Sequence, residues 1–174
     1  MTRVVELVSP TADDTRAIAA TIAEVLAPGD VVGLSGELGA GKTCFVQGAA
    51  AALGVRERVT SPSFLLRREY DGRLPVLHFD VYRLDTLAEI NDLGYDDALA
   101  GDHVTFIEWS DAMSPLLPPE RLDVELRLAA PDAPVAADGA EPRRVRLCAN
   151  GDSWARRLAA LEDRLARWRA DGEG

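Results

Sequence analysis

Apolar positions along this chain fall into short continuous runs and longer stretches with helical spacing. Arg3-Val4-Val5-Glu6-Leu7-Val8 reads as a first strand. Ser9-Pro10-Thr11 then turns into an alanine-rich helix running to about Leu26, with Asp13 and Asp14 suited to its first turn. The turn signal Pro28-Gly29-Asp30 introduces an apolar run over 30–35 that predicts a buried strand. Residues 44–53 form the next helix, and Gly54 stops it. A loop over 58–63 leads to a strand over 64–70, the hairpin-type turn Asp71-Gly72 and a returning strand over 76–81. Residues 86–99 are helical with a break near Gly94, and 104–107 make a buried strand ending in Glu108-Trp109. Beyond Pro118-Pro119 the rhythm changes. Residues 122–128 alternate strictly, as a strand with one wet face does, and 145–148 pair with them as a hairpin across a mobile loop over 130–142. Trp154, Leu158, Leu161, Leu165 and Trp168 share one face of a last helix, with Arg156, Arg157, Arg164 and Arg167 opposite. That helix either docks on the protein's own sheet or offers its arginines to a partner or tRNA.

The most informative segment lies between the 30–35 strand and the helix after it. Gly36-Glu37-Leu38-Gly39-Ala40-Gly41-Lys42-Thr43 has a glycine, four residues, then Gly-Lys-Thr, which is the P-loop pattern. Lys42 is the only lysine among 19 basic residues. A compact ammonium on a flexible stem reaches between β- and γ-phosphate oxygens, and a planar guanidinium does not replace it. Strand, glycine loop and helix come in the order that lets loop amides and the helix's positive end meet an anion. Thr43 would place its hydroxyl on Mg²⁺, so ATP and Mg²⁺ are the expected ligands. The predicted architecture is α/β: a P-loop NTPase-like three-layer sandwich, mostly parallel at its centre, with an antiparallel C-terminal addition. Residues 1–150 form the P-loop domain, and 151–174 are an amphipathic helix packed on it.

Hydrolysis or transfer needs a second acidic group near the metal. Glu108, at the end of a buried strand, is the first choice for holding Mg²⁺, directly or through water. Asp80 could position water, bind the metal's outer shell or orient Arg83, which itself could pair with Asp80, touch phosphate or meet a partner. His78 reads as a core or supporting residue rather than a base. Thr60, Ser61 and Ser63 surround Pro62 in a hydroxyl-rich loop, either a plain turn or a switch ordered by γ-phosphate.

Composition narrows the setting. With 174 residues there is room for one α/β domain. The absence of an 18-residue apolar run and of a basic-then-apolar leader argues against membrane and secretory roles. Two cysteines make no disulfide framework, and a cytoplasmic location is expected. Cys44 is either an acidified thiol at a helix start or a small buried residue. A net charge of −10 disfavours unaided binding to a nucleic acid backbone, so any tRNA is reached indirectly, through a partner.

Gly36 to Thr43, Thr60-Ser61-Pro62-Ser63-Phe64, His78-Phe79-Asp80-Val81-Tyr82-Arg83-Leu84 and Ile107-Glu108-Trp109 together resemble the TsaE (YjeE) family over roughly residues 3–150. The resemblance implies a small ATPase of tRNA N6-threonylcarbamoyladenosine synthesis at position 37. It would act as an accessory that lets the TsaD–TsaB complex turn over. It further implies that Leu38, Gly39, Ala40, Gly41, Lys42 and Thr43 bind phosphates and that Thr43 and Glu108 hold Mg²⁺. The Thr60–Ser61 loop would be a switch, Asp80 and Trp109 would lie near nucleotide and partner, and the turn near Thr11 would approach the base. Lys42, Asp80 and Glu108 are the implied catalytic set. Ser63 and Cys44 stand where the family favours threonine, and the helix after 151 matches no family motif. The competing readings are a small-molecule or nucleotide kinase and a nucleotide sensor without catalysis. A GTP switch is disfavoured, because its Asn-Lys-x-Asp signature needs a second lysine.

Overall fold

The computed structural model describes residues 2–63, 66–82, 84–129 and 139–170. The expected strand start at Phe64-Leu65, the Arg83 roles and most of the 130–142 loop lie outside these residues. In chain order the elements are β1 (Thr2–Ser9), α1 (Ala12–Ala23), β2 (Val31–Ser35), α2 (Lys42–Ala52), β3 (Arg67–Tyr70) and β4 (Val76–Asp80). They continue with α3 (Leu87–Asp92), α4 (Tyr95–Leu99), β5 (Val104–Glu108), β6 (Arg121–Leu128), β7 (Arg143–Asn150) and α5 (Asp152–Leu165).

One seven-stranded sheet runs β1-β7-β6-β2-β5-β4-β3. The four central strands, β6, β2, β5 and β4, are mutually parallel. β7 and β1 extend the sheet antiparallel on one side and β3 on the other. All residues of β4 and β5 are buried, and so are Val31 to Leu34 of β2. That is why these strands read as continuous apolar runs: parallel strands are covered on both faces. On one face Val32, Leu34, Val76 and Phe106 join the core made with α1, α2 and α5. On the other, Val31, Leu77, Phe79 and Ile107 pack with Ile90, Tyr95 and Met113. β6 buries Leu122, Val124 and Leu126, while Asp123, Glu125 and Arg127 between them keep some exposure, as the alternation predicts.

Of the boundaries that differ from the sequence pattern, two have a clear local cause. α1 ends at Ala23, because the amides of Glu24, Val25 and Leu26 bond three residues back and tighten the final turn. β3 starts at Arg67, since Leu66 has φ +62°, which a strand cannot absorb.

α1 and α2 cross closely at Gly48, where an added Cβ would fall 2.4 Å from the Arg16 carbonyl oxygen. α5 lies against α1 and the β1–β7 side of the sheet with Trp154, Leu158, Leu161 and Leu165 buried, and Trp168 buried just beyond. Each such large apolar side chain contributes about 1.5–3 kcal/mol by leaving water. The arginine face is largely engaged within the chain. Arg157 donates to both Asp30 carboxylate oxygens (2.6 and 3.0 Å) and to the Val25 carbonyl, Arg164 pairs with Glu24, and Arg167 stacks on Trp168. The Trp168 indole donates to Asp14 at 2.9 Å and holds its carboxyl below the ordinary aspartate range. At the sheet's margins, Arg169 bridges to Leu7 of β1 and the Ala170 amide donates to the Glu6 carbonyl. Among the described residues no helix is long and apolar enough to cross a membrane.

Candidate functional site

Ligand sites in open α/β sheets form beyond the carboxyl ends of parallel strands. Here β2 ends at Ser35 and feeds the glycine loop, while β4 and β5 end at Asp80 and Glu108, which are register partners. These ends open into a cleft of about 460 Å³, a size that accepts a small ligand. Leu38, Gly39, Gly41, Lys42 and Thr43 line one side of it, with Ser61, Asp80, Glu108 and Trp109 also on its walls.

The loop's shape needs its glycines. At Gly36, φ is +138° and a Cβ would lie 2.1 Å from the Leu126 carbonyl oxygen, so only glycine lets the loop cross β6. Gly41 caps α2 with φ +107° and offers no side-chain acceptor to the helix's first turn. The positive end of α2 is therefore directed at the cleft with no side chain capping its amides. Lys42 Nζ donates to the carbonyls of Gly36 (2.6 Å) and Glu37 (2.9 Å) and sits 3.8 Å from the centroid of the Trp109 ring. Burial lowers the pKa of this ammonium, and the carboxylates of Glu108 and Asp80 oppose the shift.

Thr43, in the first turn of α2, donates its hydroxyl to Glu108 at 2.8 Å from Oε1 and 3.1 Å from Oε2. His78 Nε2 lies 2.6 Å from Glu108 Oε2, and both side chains are almost wholly buried. Asp80 accepts from the Ser61 hydroxyl (2.7 Å) and from the Tyr82 amide (3.0 Å), and Ser61 touches Ser63 at 3.0 Å. The hydroxyl loop thus joins the acidic wall through Ser61. Trp109 has φ +63°, a left-handed conformation that costs a non-glycine residue about 1–3 kcal/mol. It aims the indole over Lys42, where the ring also stacks against Tyr82 at 4.6 Å between centroids.

Three residues singled out in the sequence stand away from the cleft wall. Ala40 is fully buried beneath the loop. Thr60 is exposed, and its amide donates to the Tyr70 hydroxyl at 3.3 Å. Thr11 caps α1 by accepting from the Asp14 amide at 3.1 Å, and Cys44 Sγ touches the Ala12 carbonyl next to it. Burial pushes the Cys44 thiol up, the behaviour of a small packed residue. Conversely, Tyr82 and Leu66 line the cleft without having been singled out as site residues. The signal for Tyr82 was its place two residues past the end of a buried parallel strand. The donors available to a metal here are a hydroxyl and a carboxylate, hard oxygen ligands that fit Mg²⁺ sharing its shell with phosphates and water.

A doubly covered parallel sheet with a glycine loop joining β2 to α2 defines a P-loop NTPase-like α/β protein. Within that class the chain belongs to the TsaE family: the family model described as "Threonylcarbamoyl adenosine biosynthesis protein TsaE" matches residues 9–133. It is 44% identical over 121 residues to a Bacillus subtilis protein, covering 69% of this chain and 75% of that one. With a Streptomyces coelicolor protein it shares 40% identity over 145 residues, 80% of this chain and 93% of the relative. Both are named tRNA threonylcarbamoyladenosine biosynthesis protein TsaE. The crystal structure of Bacillus subtilis YdiB superposes with a TM-score of 0.77 at 33% identity, covering 94% of this chain and 97% of that one.

Proposed function

We propose that the protein binds Mg-ATP in this cleft and hydrolyses it as an accessory of tRNA N6-threonylcarbamoyladenosine synthesis, acting with the TsaD–TsaB complex in the cytoplasm. Membership of the TsaE family supports the pathway. The observation that carries the ATP reading is the 2.8 Å contact between Thr43 and Glu108, which joins the helix after the glycine loop to the acid closing β5.

In this reading the residues divide the work. The loop over 38–43 binds the phosphates, and Lys42 exchanges its contacts with the Gly36 and Glu37 carbonyls for phosphate oxygens. Thr43 and Glu108 would hold Mg²⁺, whose charge neutralises the β/γ-phosphate oxygens. Asp80, already oriented by Ser61 and the Tyr82 amide, positions the attacking water. Ser61 then couples occupancy of the site to the neighbouring loop, as a switch does. Trp109 covers the lysine at the mouth and, with Tyr82 against it, offers a surface to the partner. A tRNA is met through the complex.

The test is phosphate release from Mg-ATP by the purified protein, alone and with TsaD–TsaB and tRNA. Slow release alone that rises with the partners is expected. A rate indifferent to the partners would discard the accessory role and direct attention to an acceptor substrate, as for a kinase.

A further inference from the structure

Glu108 is held on two sides of its carboxylate, and the two contacts differ in kind. The Thr43 hydroxyl sits on α2 and is itself a metal donor in the reading above, on which this inference rests. His78 sits on β4, two residues before Asp80, and Asp80 pairs with Glu108 across the sheet. Residues two apart on a strand share a face, so His78 is the diagonal neighbour of Glu108 on the face that carries Phe106 and Glu108. Its ring is wholly buried, with Nε2 2.6 Å from Glu108 Oε2. The other ring nitrogen, Nδ1, is also buried and has no hydrogen-bond partner among the described residues.

That asymmetry assigns the proton. A buried N–H without an acceptor is costly, so the hydrogen belongs on Nε2, where Glu108 accepts it, and Nδ1 is the bare nitrogen. The ring then has one polar function, a single donor directed at one carboxylate oxygen. We propose that His78 is a positioning residue for Glu108. It ties down Oε2 from within the sheet, while Thr43 approaches nearer to Oε1 (2.8 Å) than to Oε2 (3.1 Å). Should Thr43 turn its hydroxyl lone pairs to a cation, its hydrogen bond to Glu108 need not survive, whereas the His78 contact lies behind the carboxylate and can. Partners of this sort orient a ligand, and losing one typically lowers metal affinity or activity about 10–100-fold.

The experiment compares His78→Leu, His78→Gln and His78→Asn with Glu108→Ala. The readouts are binding of Mn²⁺, a paramagnetic stand-in for Mg²⁺, in the presence of a non-hydrolysable ATP analogue, and binding of the analogue without metal. Glutamine can set an amide N–H where Nε2 stands, whereas the shorter asparagine cannot. Expected are a loss of Mn²⁺ affinity of about tenfold or more in the leucine and asparagine variants, recovery to within about threefold in the glutamine variant, and unchanged metal-free binding in all three. Should His78→Leu fail to fold, the glutamine–asparagine contrast decides alone. Equal Mn²⁺ affinity in those two variants overturns the proposal. If Glu108→Ala leaves Mn²⁺ affinity unchanged, the assignment of Glu108 as metal ligand fails first. A shift in Glu108→Ala with none in the His78 variants removes only the positioning role.

Discussion

Replacing Gly48 with alanine sets two effects of opposite sign against each other in the middle of α2. Helix propensity favours the change, since alanine is about 1 kcal/mol better than glycine in a helix interior. The packing opposes it. A Cβ at this position would lie 2.4 Å from the Arg16 carbonyl oxygen, 2.5 Å from Arg16 Cα and 2.8 Å from its carbonyl carbon. Ordinary contact begins at 3.4 Å, so α1 must retreat by about 1 Å. These are backbone atoms of a helix, which no rotamer change can move aside. Overpacking of this kind costs about 1–3 kcal/mol, and a clash with main chain belongs at the upper end. The net expectation is a destabilisation of about 2 kcal/mol. For a chain of this length that lowers Tm by about 4–8 °C. Where α2 gives way instead of α1, the glycine loop at its start moves with it, and nucleotide binding should weaken in the same variant. Urea and thermal unfolding followed by circular dichroism measure the first effect. A variant as stable as its parent, or more so, would show that the two helices have slack at their crossing and would refute the argument.

Lys42→Ala and Thr43→Ala should each reduce steady-state Mg-ATP hydrolysis by about 100-fold or more, because they remove charge and metal contacts strongest in the transition state; wild-type rates in either would sink the site assignment. Glu108→Ala should lose hydrolysis by a larger factor than nucleotide binding, and equal losses would make it a binding or folding residue. Asp14 gives a pH signature. The Trp168 indole is the first cause of its depressed pKa, so the contact stabilises the fold above the ordinary value of 3.8 and is lost as pH falls through the lower folded value. Trp168→Phe should therefore be less stable than its parent at pH 7, with part of the gap closing in that acidic window. A gap independent of pH in urea titrations would show that the indole bond contributes nothing.

The parts of the site legible in the sequence are those fixed by local pattern. The apolar run of β2, the glycines after it and the helix beyond locate the loop, and the run before Glu108 marks the end of β5 as a place for an acid. What the pattern could not carry was register. The diagonal between His78 and Glu108 exists only because β4 and β5 are paired so that Asp80 meets Glu108. The Tyr82–Trp109 stack depends on a left-handed tryptophan that no propensity favours. Likewise β1 reads plainly as a strand, yet its place at the sheet's margin is decided by antiparallel pairing with β7, nearly 140 residues away. Thr11 lies at the start of α1, where its hydroxyl accepts from the Asp14 amide, and Thr60 is exposed with its amide on the Tyr70 hydroxyl, so neither the cap nor the turn was visible in the motif that drew attention to them.

The margins of the sheet bear on how the protein meets other chains. Along β1, Arg169 and Ala170 already take backbone contacts at Leu7 and Glu6. At the far side β3 has four residues, three of them the charged Arg67, Arg68 and Glu69. A short, charged or occupied rim is a poor template for a foreign strand. Recruitment by strand addition is therefore disfavoured at both ends. The sheet thus resists being zipped onto another chain, or onto another copy of itself.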